Sequence, residues 1–191
     1  MTAKILASAS RASSGLTQIE LAGRSGVAGS SLSLIEHGKR DPTVATLETI
    51  LRATRHSVVT IPTVRSDAAR IASEISRAIS RKDDDAIFKR FIQLADNLAA
   101  ETGATRVGLT LTEPAPTGSE RWDLAIAALC EYRLNAGKLP IPNWIRSRKG
   151  RSNDPWTPRT SDYKIDVDIK SVPREFLRRG VLIEAQTLKS Y

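Results

Sequence analysis

Few residues in this 191-residue sequence have the type and spacing of catalytic or metal-binding groups. Asp168-Ile169-Lys170, with Asp154 upstream, has the outline of an Asp…Asp-x-Lys magnesium site of the nuclease kind. Such triplets arise by chance, and Asp154 precedes its proline instead of following one. Asp83-Asp84-Asp85 gathers three carboxylates directly after Arg81-Lys82. That run reads better as a charged turn, with cations ending one helix and anions starting the next, as the two macrodipoles prefer. The single cysteine, Cys130, has no histidine near it in sequence and sits in an apolar helical stripe, so it reads as packing rather than as a nucleophile. One cysteine also excludes an intramolecular disulfide and fits a reducing compartment. His37 and His56 are far apart and form no recognisable metal set with it. The sequence is therefore read as that of a non-enzyme, with no metal and no cofactor.

Charge points to a different kind of chemistry. Lysine and arginine number 29 against 21 acidic residues, a net +8 that favours a polyanionic partner. Lys138, Arg146, Arg148, Lys149 and Arg151 accumulate beside Trp144 and Trp156 in a proline-rich stretch, 138–160. Basic residues interleaved with tryptophan suit single-stranded nucleic acid. They suit equally a solvated loop pinned by two buried indoles, and the second reading is preferred. No apolar run approaches the roughly 20 residues of a membrane span. No secretory h-region is present at the N-terminus, so a cytoplasmic protein is expected.

The elements that would present charge to such a partner lie in the first sixty residues. Ile5, Leu6 and Ala9 give a first helix with one apolar stripe, ending before Ser13-Ser14-Gly15. Leu16, Ile19, Leu21 and Ala22, then Val27, Leu32 and Ile35, recur at the spacing of two amphipathic helices. Gly23 to Gly26 breaks the runs with a corner needing at least one left-handed residue. Thr17, with Glu20 three residues on, is a capping box for the first of the two. The next helix begins near Ala28, which offers no capping oxygen, a loss of about 1 kcal/mol. Asp41-Pro42-Thr43 starts a fourth helix with Val44, Leu47, Ile50 and Leu51 toward the core. Two short helices around a glycine turn form a helix-turn-helix, whose second helix can enter the major groove.

The run Gly15-Leu16-Thr17-Gln18-Ile19-Glu20-Leu21-Ala22, Gly26-Val27, Ser33-Leu34-Ile35-Glu36-His37-Gly38-Lys39-Arg40 and Pro42-Thr43 resembles the Cro/repressor-type (XRE) helix-turn-helix family over most of residues 4–58. The resemblance implies phosphate contacts from Thr17 and Gln18 and from His37 and Lys39, joined by the adjacent Arg40. It implies base-reading positions at Gly29, Ser30 and Leu34, with Ser33 on the neighbouring face. Gly29 has no side chain, Ser30 a short hydroxyl and Leu34 only an apolar contact, so neither an Arg–guanine nor a Gln–adenine fork is available from them. Specificity should then lean on DNA shape or on pairing two half-sites. The family also implies a buried ion pair between Arg11 and Glu36.

Beyond a linker at 61–66, Ile71, Ile75 and Ile79 and then Ile87, Phe91, Leu94, Ala95 and Leu98 predict a helical hairpin over 67–102. Thr105 to Thr112 alternates as a short strand, and a long helix follows from Ser119 to Asn135 with Trp122, Ile126, Leu129 and Cys130 inward. Tyr163 to Ile169 reads as a strand, Val172 to Arg179 as a short helix stopped by Gly180, and Val181 to Glu184 as a last strand. The expected fold is mainly α: a repressor-like helical bundle (1–60), the hairpin, and a small α+β unit (103–191) for dimerisation or partner binding. Arg121-Trp122-Asp123, Pro140-Ile141-Pro142-Asn143-Trp144 and Pro173-Arg174-Glu175-Phe176-Leu177-Arg178-Arg179-Gly180-Val181 faintly resemble antitoxin-type regulators paired with nucleotidyltransferase toxins. Together these readings predict a homodimeric, nucleoid-associated repressor of operator DNA, an antitoxin controlling its own operon with a cognate toxin as partner. The alternatives are an antitoxin that acts on protein alone, its helix-turn-helix inert, and the magnesium nuclease.

Overall fold

The computed structural model describes residues 3–150, 155–158 and 167–189. Among the described residues ten helices run in order: α1 (Ala3–Ser13), α2 (Gln18–Ser25), α3 (Gly29–Glu36), α4 (Val44–Ala53), α5 (Ala68–Ser80), α6 (Asp84–Ala100), α7 (Gly103–Leu111), α8 (Glu120–Ala136), α9 (Asn143–Ser147) and α10 (Arg174–Leu177). Short 3-10 turns occupy Ile169–Ser171 and Ala185–Leu188.

Two apolar cores organise these helices. Ala7, Leu21, Leu32, Ile35 and Ile50 close the first, inside α1–α4. The second gathers around α8, where every residue from Ala125 to Cys130 is buried. A helix buried on all sides is the centre of its bundle rather than a face of it. The hairpin of α5 and α6 packs along it, with α7, α9 and α10 around the remainder. Residues 61–66 are bound to the second unit: Ile61 packs on its core, Thr63 donates to Glu101 at 2.6 Å, and Asn97 Nδ2 donates to the Ser66 carbonyl at 2.9 Å. A cleft of about 700 Å³ separates the two units, walled by Leu6, Ala9 and Leu51 on one side and by Leu109 and Trp144 on the other.

A buried ion network ties the last elements to α8. Glu131 accepts from Arg179 Nη1 at 2.6 Å and from Arg178, and Arg179 also donates to the carbonyls of Ile145, Arg148 and Glu175. Burial alone would raise the Glu131 carboxyl, but the hydrogen bonds from the two arginines outweigh it and hold it below its ordinary value.

The α+β expectation for 103–191 is corrected, because no strand occurs among the described residues. Thr105 to Thr112 lies in and just past helix α7; of the three alternating residues only Leu109 is buried, and Leu111 is exposed. A lone strand there would have no neighbour to take its amides, whereas a helix pairs its own. Gly108 lets α7 approach the linker, since a Cβ at that position would lie 2.9 Å from Ile61 Cδ1. Val181 makes one isolated parallel bridge with Trp156, and residues 182–184 form no strand. Residues 163–166 of the strand expected at Tyr163–Ile169, like Arg151 and Asp154, lie outside the described residues; Ile169 at its end begins a 3-10 turn. Two apolar positions expected to face inward are also corrected: Ile19 and Val44 are exposed. Each sits in the first turn of its helix, Ile19 second in α2 and Val44 first in α4, on the side that no other described element covers.

Candidate nucleic-acid interface

The surface presented to solvent by α2 and α3 is built from local capping. Thr17 Oγ1 accepts from the Glu20 amide at 3.2 Å while Glu20 Oε2 accepts from the Thr17 amide at 2.8 Å, so both halves of the capping box close. These bonds, first the one from the Thr17 backbone and then the one from its hydroxyl, hold the Glu20 carboxyl below its ordinary value. Helix α2 ends at Gly26, whose φ of 69° is the left-handed conformation glycine tolerates best. Helix α3 starts from Ala28 with no side-chain cap.

The buried face of α3 carries Leu32, Ile35 and Glu36, and α3 packs on α1 and α2. Glu36 is 4% exposed at its side chain and accepts three bonds: Arg11 Nε at 2.7 Å, Arg11 Nη2 at 3.0 Å and Gln18 Nε2 at 2.6 Å. Arg11 also donates to the Leu16 carbonyl at 3.0 Å. One carboxylate thereby locks α1, the N-terminus of α2 and the C-terminus of α3 into a single angle. One of the two hydrogens on the Gln18 amide nitrogen is used in this contact, leaving the other, the backbone N–H and the side-chain oxygen for any outside partner.

On the opposite face Gly29, Ser30 and Leu34 are exposed and Ser33 is half-buried. Thr17, His37, Lys39 and Arg40, at the two ends of that face, are exposed as well. Arg40 Nη1 donates to Ser31 Oγ at 3.1 Å, folding the guanidinium back along α3. His37 Nδ1 lies 2.7 Å from the Ser33 carbonyl, which can only accept, so Nδ1 is the donor of that contact.

Lys4 is a cation missed in the sequence. Its stem lies against Gly38, where a Cβ would come within 3.2 Å of Lys4 Cδ, and so adds a cation to the loop that carries Lys39 and Arg40. The contact joins residues 34 positions apart, and no local pattern announces it.

The model of a family described as helix-turn-helix matches residues 9–57. The first unit is a Cro/repressor-type helix-turn-helix domain. No curated protein and no solved structure matches the chain. With that domain over residues 9–57, the protein is a DNA-binding transcription regulator, and α3 stands where a helix-turn-helix carries its recognition helix. No described helix is long and apolar enough to cross a membrane.

Elsewhere, the described part of the magnesium outline, Asp168 and Lys170, takes local structural positions. Asp168 caps a 3-10 turn, accepting from the Lys170 amide at 3.0 Å and from Ser171 Oγ at 2.9 Å. Among the described residues no group of three metal-ligating side chains converges. Cys130 is buried in the second core, and that burial pushes its thiol up to about 12. In the basic stretch, Trp144 Nε1 donates to the Thr110 carbonyl, and Arg148 stacks 5.3 Å from the Trp144 ring while donating to the Pro114 carbonyl. Two of the prominent residues of that stretch therefore point inward, whereas Lys138, Arg146 and Lys149 are exposed.

Proposed function

We propose that the protein is a repressor that binds operator DNA as a homodimer and, as an antitoxin, holds a toxin protein on its second unit. The observation that carries the DNA-reading part is the solvent exposure of the outer face of α3 between two phosphate-binding ends. Thr17 and the α2 N-terminus stand at one end, with Lys4, Lys39 and Arg40 at the other. Helix N-terminal amides and lysines hold phosphates and set the docking register. The base-facing residues are small, so sequence is read through groove shape and through two half-sites about 34 Å apart. The antitoxin part is supported by the size of the α5–α10 bundle, far larger than a dimer patch requires.

Gel shifts on the DNA upstream of the gene, at several salt concentrations, test this. The wild type should bind with affinity falling steeply in salt, and Lys39→Ala should weaken every sequence alike and reduce the log–log salt slope by about 1. Absence of binding at moderate salt, or undiminished binding by Lys39→Glu, refutes it. Adding the product of the adjacent gene should alter the shift if that product is the toxin.

A further inference from the structure

The cleft between the two units is apolar from floor to mouth. On its floor Ala9 and Leu51 of the first unit stand across from Leu109 and Trp144 of the second, all four buried. Eight large apolar side chains are exposed among the described residues, and three of them, Val58, Val59 and Leu111, gather at its mouth. Single exposed apolar residues are ordinary, but several around one concavity mark a ligand-binding groove. The walls are joined where α1 meets α5 and through the linker, whose Ile61 packs on the second core. Between those joints they do not close on each other. The space left is about 700 Å³, within the roughly 300–1,000 Å³ of pockets that hold small molecules.

The charges along the walls are already engaged. Glu113 Oε1 lies 3.6 Å from Arg148 Nη2, Arg65 Nε lies 3.4 Å from Glu101 Oε1, and Asp67 Oδ1 accepts from the Arg70 amide at 2.9 Å. Both ring nitrogens of His56 are occupied, Nδ1 2.8 Å from the Thr54 carbonyl and Nε2 3.2 Å from Ser13 Oγ. A charged guest would leave water without meeting a free counter-charge, which is costly. The Asn143 side-chain amide, by contrast, bonds to no described residue and offers the cleft a donor and an acceptor.

We propose that this cleft binds a small uncharged molecule, apolar over most of its surface, with one hydrogen-bonding group that meets Asn143. Both units supply its walls, so an occupant fixes the angle at which the DNA-reading module stands on the bundle. The main-chain groups of Ser57 to Thr60 make no hydrogen bond among the described residues, and this part of the wall can adjust to the guest. The site is an input separate from the DNA surface and stands beyond the operator reading.

N-phenyl-1-naphthylamine, uncharged, apolar and with a single N–H, is a suitable probe because it fluoresces strongly only out of water. Titrated into the full chain, it should saturate at one probe per chain. Val58→Glu and Leu111→Glu each set a carboxylate at the mouth and should weaken it by about tenfold or more. Both positions are exposed, so the helical circular dichroism should be unchanged. Val64→Glu, exposed but away from the cleft, should bind as the wild type does. Asn143→Leu should weaken this probe about threefold and leave naphthalene, which has no hydrogen-bonding group, competing as before. No gain in fluorescence, uptake that never saturates, undiminished binding in both mouth variants, or an equal loss in Val64→Glu overturns the proposal. A signal per chain that falls as protein concentration rises also overturns it, since a second copy would then be covering the cleft. A protein that takes up the probe as expected yet binds no upstream DNA overturns the operator reading and leaves the site standing.

Discussion

Removal of Arg11 tests how the recognition helix is held. Glu36 has only 4% of its side chain exposed, and two of its three hydrogen bonds come from Arg11. Arg11→Ala leaves a carboxylate in the domain core with Gln18 alone for company. Breaking a fully buried pair costs about 3–5 kcal/mol. The Arg11 side chain is 24% exposed, so water enters part of the vacated space, and the expected loss is near the low end, about 3 kcal/mol. Glu36→Ala strands an arginine that keeps the Leu16 carbonyl and some solvent, and should cost less, about 2 kcal/mol. Replacing both, Arg11→Met with Glu36→Leu, should return to within about 1 kcal/mol of the wild type. Urea unfolding reads the difference cleanly, because Trp122, Trp144 and Trp156 all lie in the second unit. Circular dichroism follows every helix and tryptophan fluorescence only the bundle, so in Arg11→Ala part of the dichroism should be lost before the fluorescence moves. Coincident, unshifted transitions in Arg11→Ala, or a double variant weaker than that single one, would refute the account of Glu36 as the stranded charge.

Three further outcomes follow from the local structure. Glu20 has its carboxyl lowered by the Thr17 bonds, so its contribution is complete above the ordinary value of 4.5 and is lost as pH falls through the folded-state value. The acid-side stability curve of the first unit should therefore flatten in Glu20→Gln. Ala28→Ser supplies the missing cap of the recognition helix and should stabilise the first unit by about 1 kcal/mol in the same denaturation measurement. The Cys130 thiol, pushed up to about 12 by burial, should react with a disulfide reagent only after the bundle unfolds, at the rate of global opening. Prompt labelling of the native protein would contradict its place in the core.

What could be read from residues alone divides by range. Capping boxes, glycine corners and four-residue apolar spacing act within one or two turns. They placed α1–α4, the α5–α6 hairpin and the long α8 within a residue or two. The alternation of Val107, Leu109 and Leu111 misled because three residues can satisfy a period of two while the packing obeys another. Only the missing second strand decides between them, and that is a fact about distant chain. Ile19 and Val44 failed for a related reason, since periodicity marks a face without saying whether anything covers it. The Glu131 network spans 48 residues and the Lys4–Gly38 contact 34, distances at which no spacing rule operates. Arg11 and Glu36 drew attention through family resemblance rather than spacing. The position of α3 was plain from its neighbours in sequence, whereas its small outward side chains say little of what DNA sequence it would select.

The way Glu131 is neutralised bears on how the chain is made. Everything that closes the first core lies before residue 57, so the DNA-reading module can fold while most of the polypeptide is still unsynthesised. Glu131 and Arg133, by contrast, wait near the C-terminal end of α8 for Arg178, Arg179 and the carbonyl of Leu188. A ribosome halted after α8 would release a finished DNA reader attached to an open bundle with a carboxylate lacking its counter-ions. Quality control would find the fault in the second half of such a fragment, and nonsense mutations there should deplete the protein before they alter what it recognises.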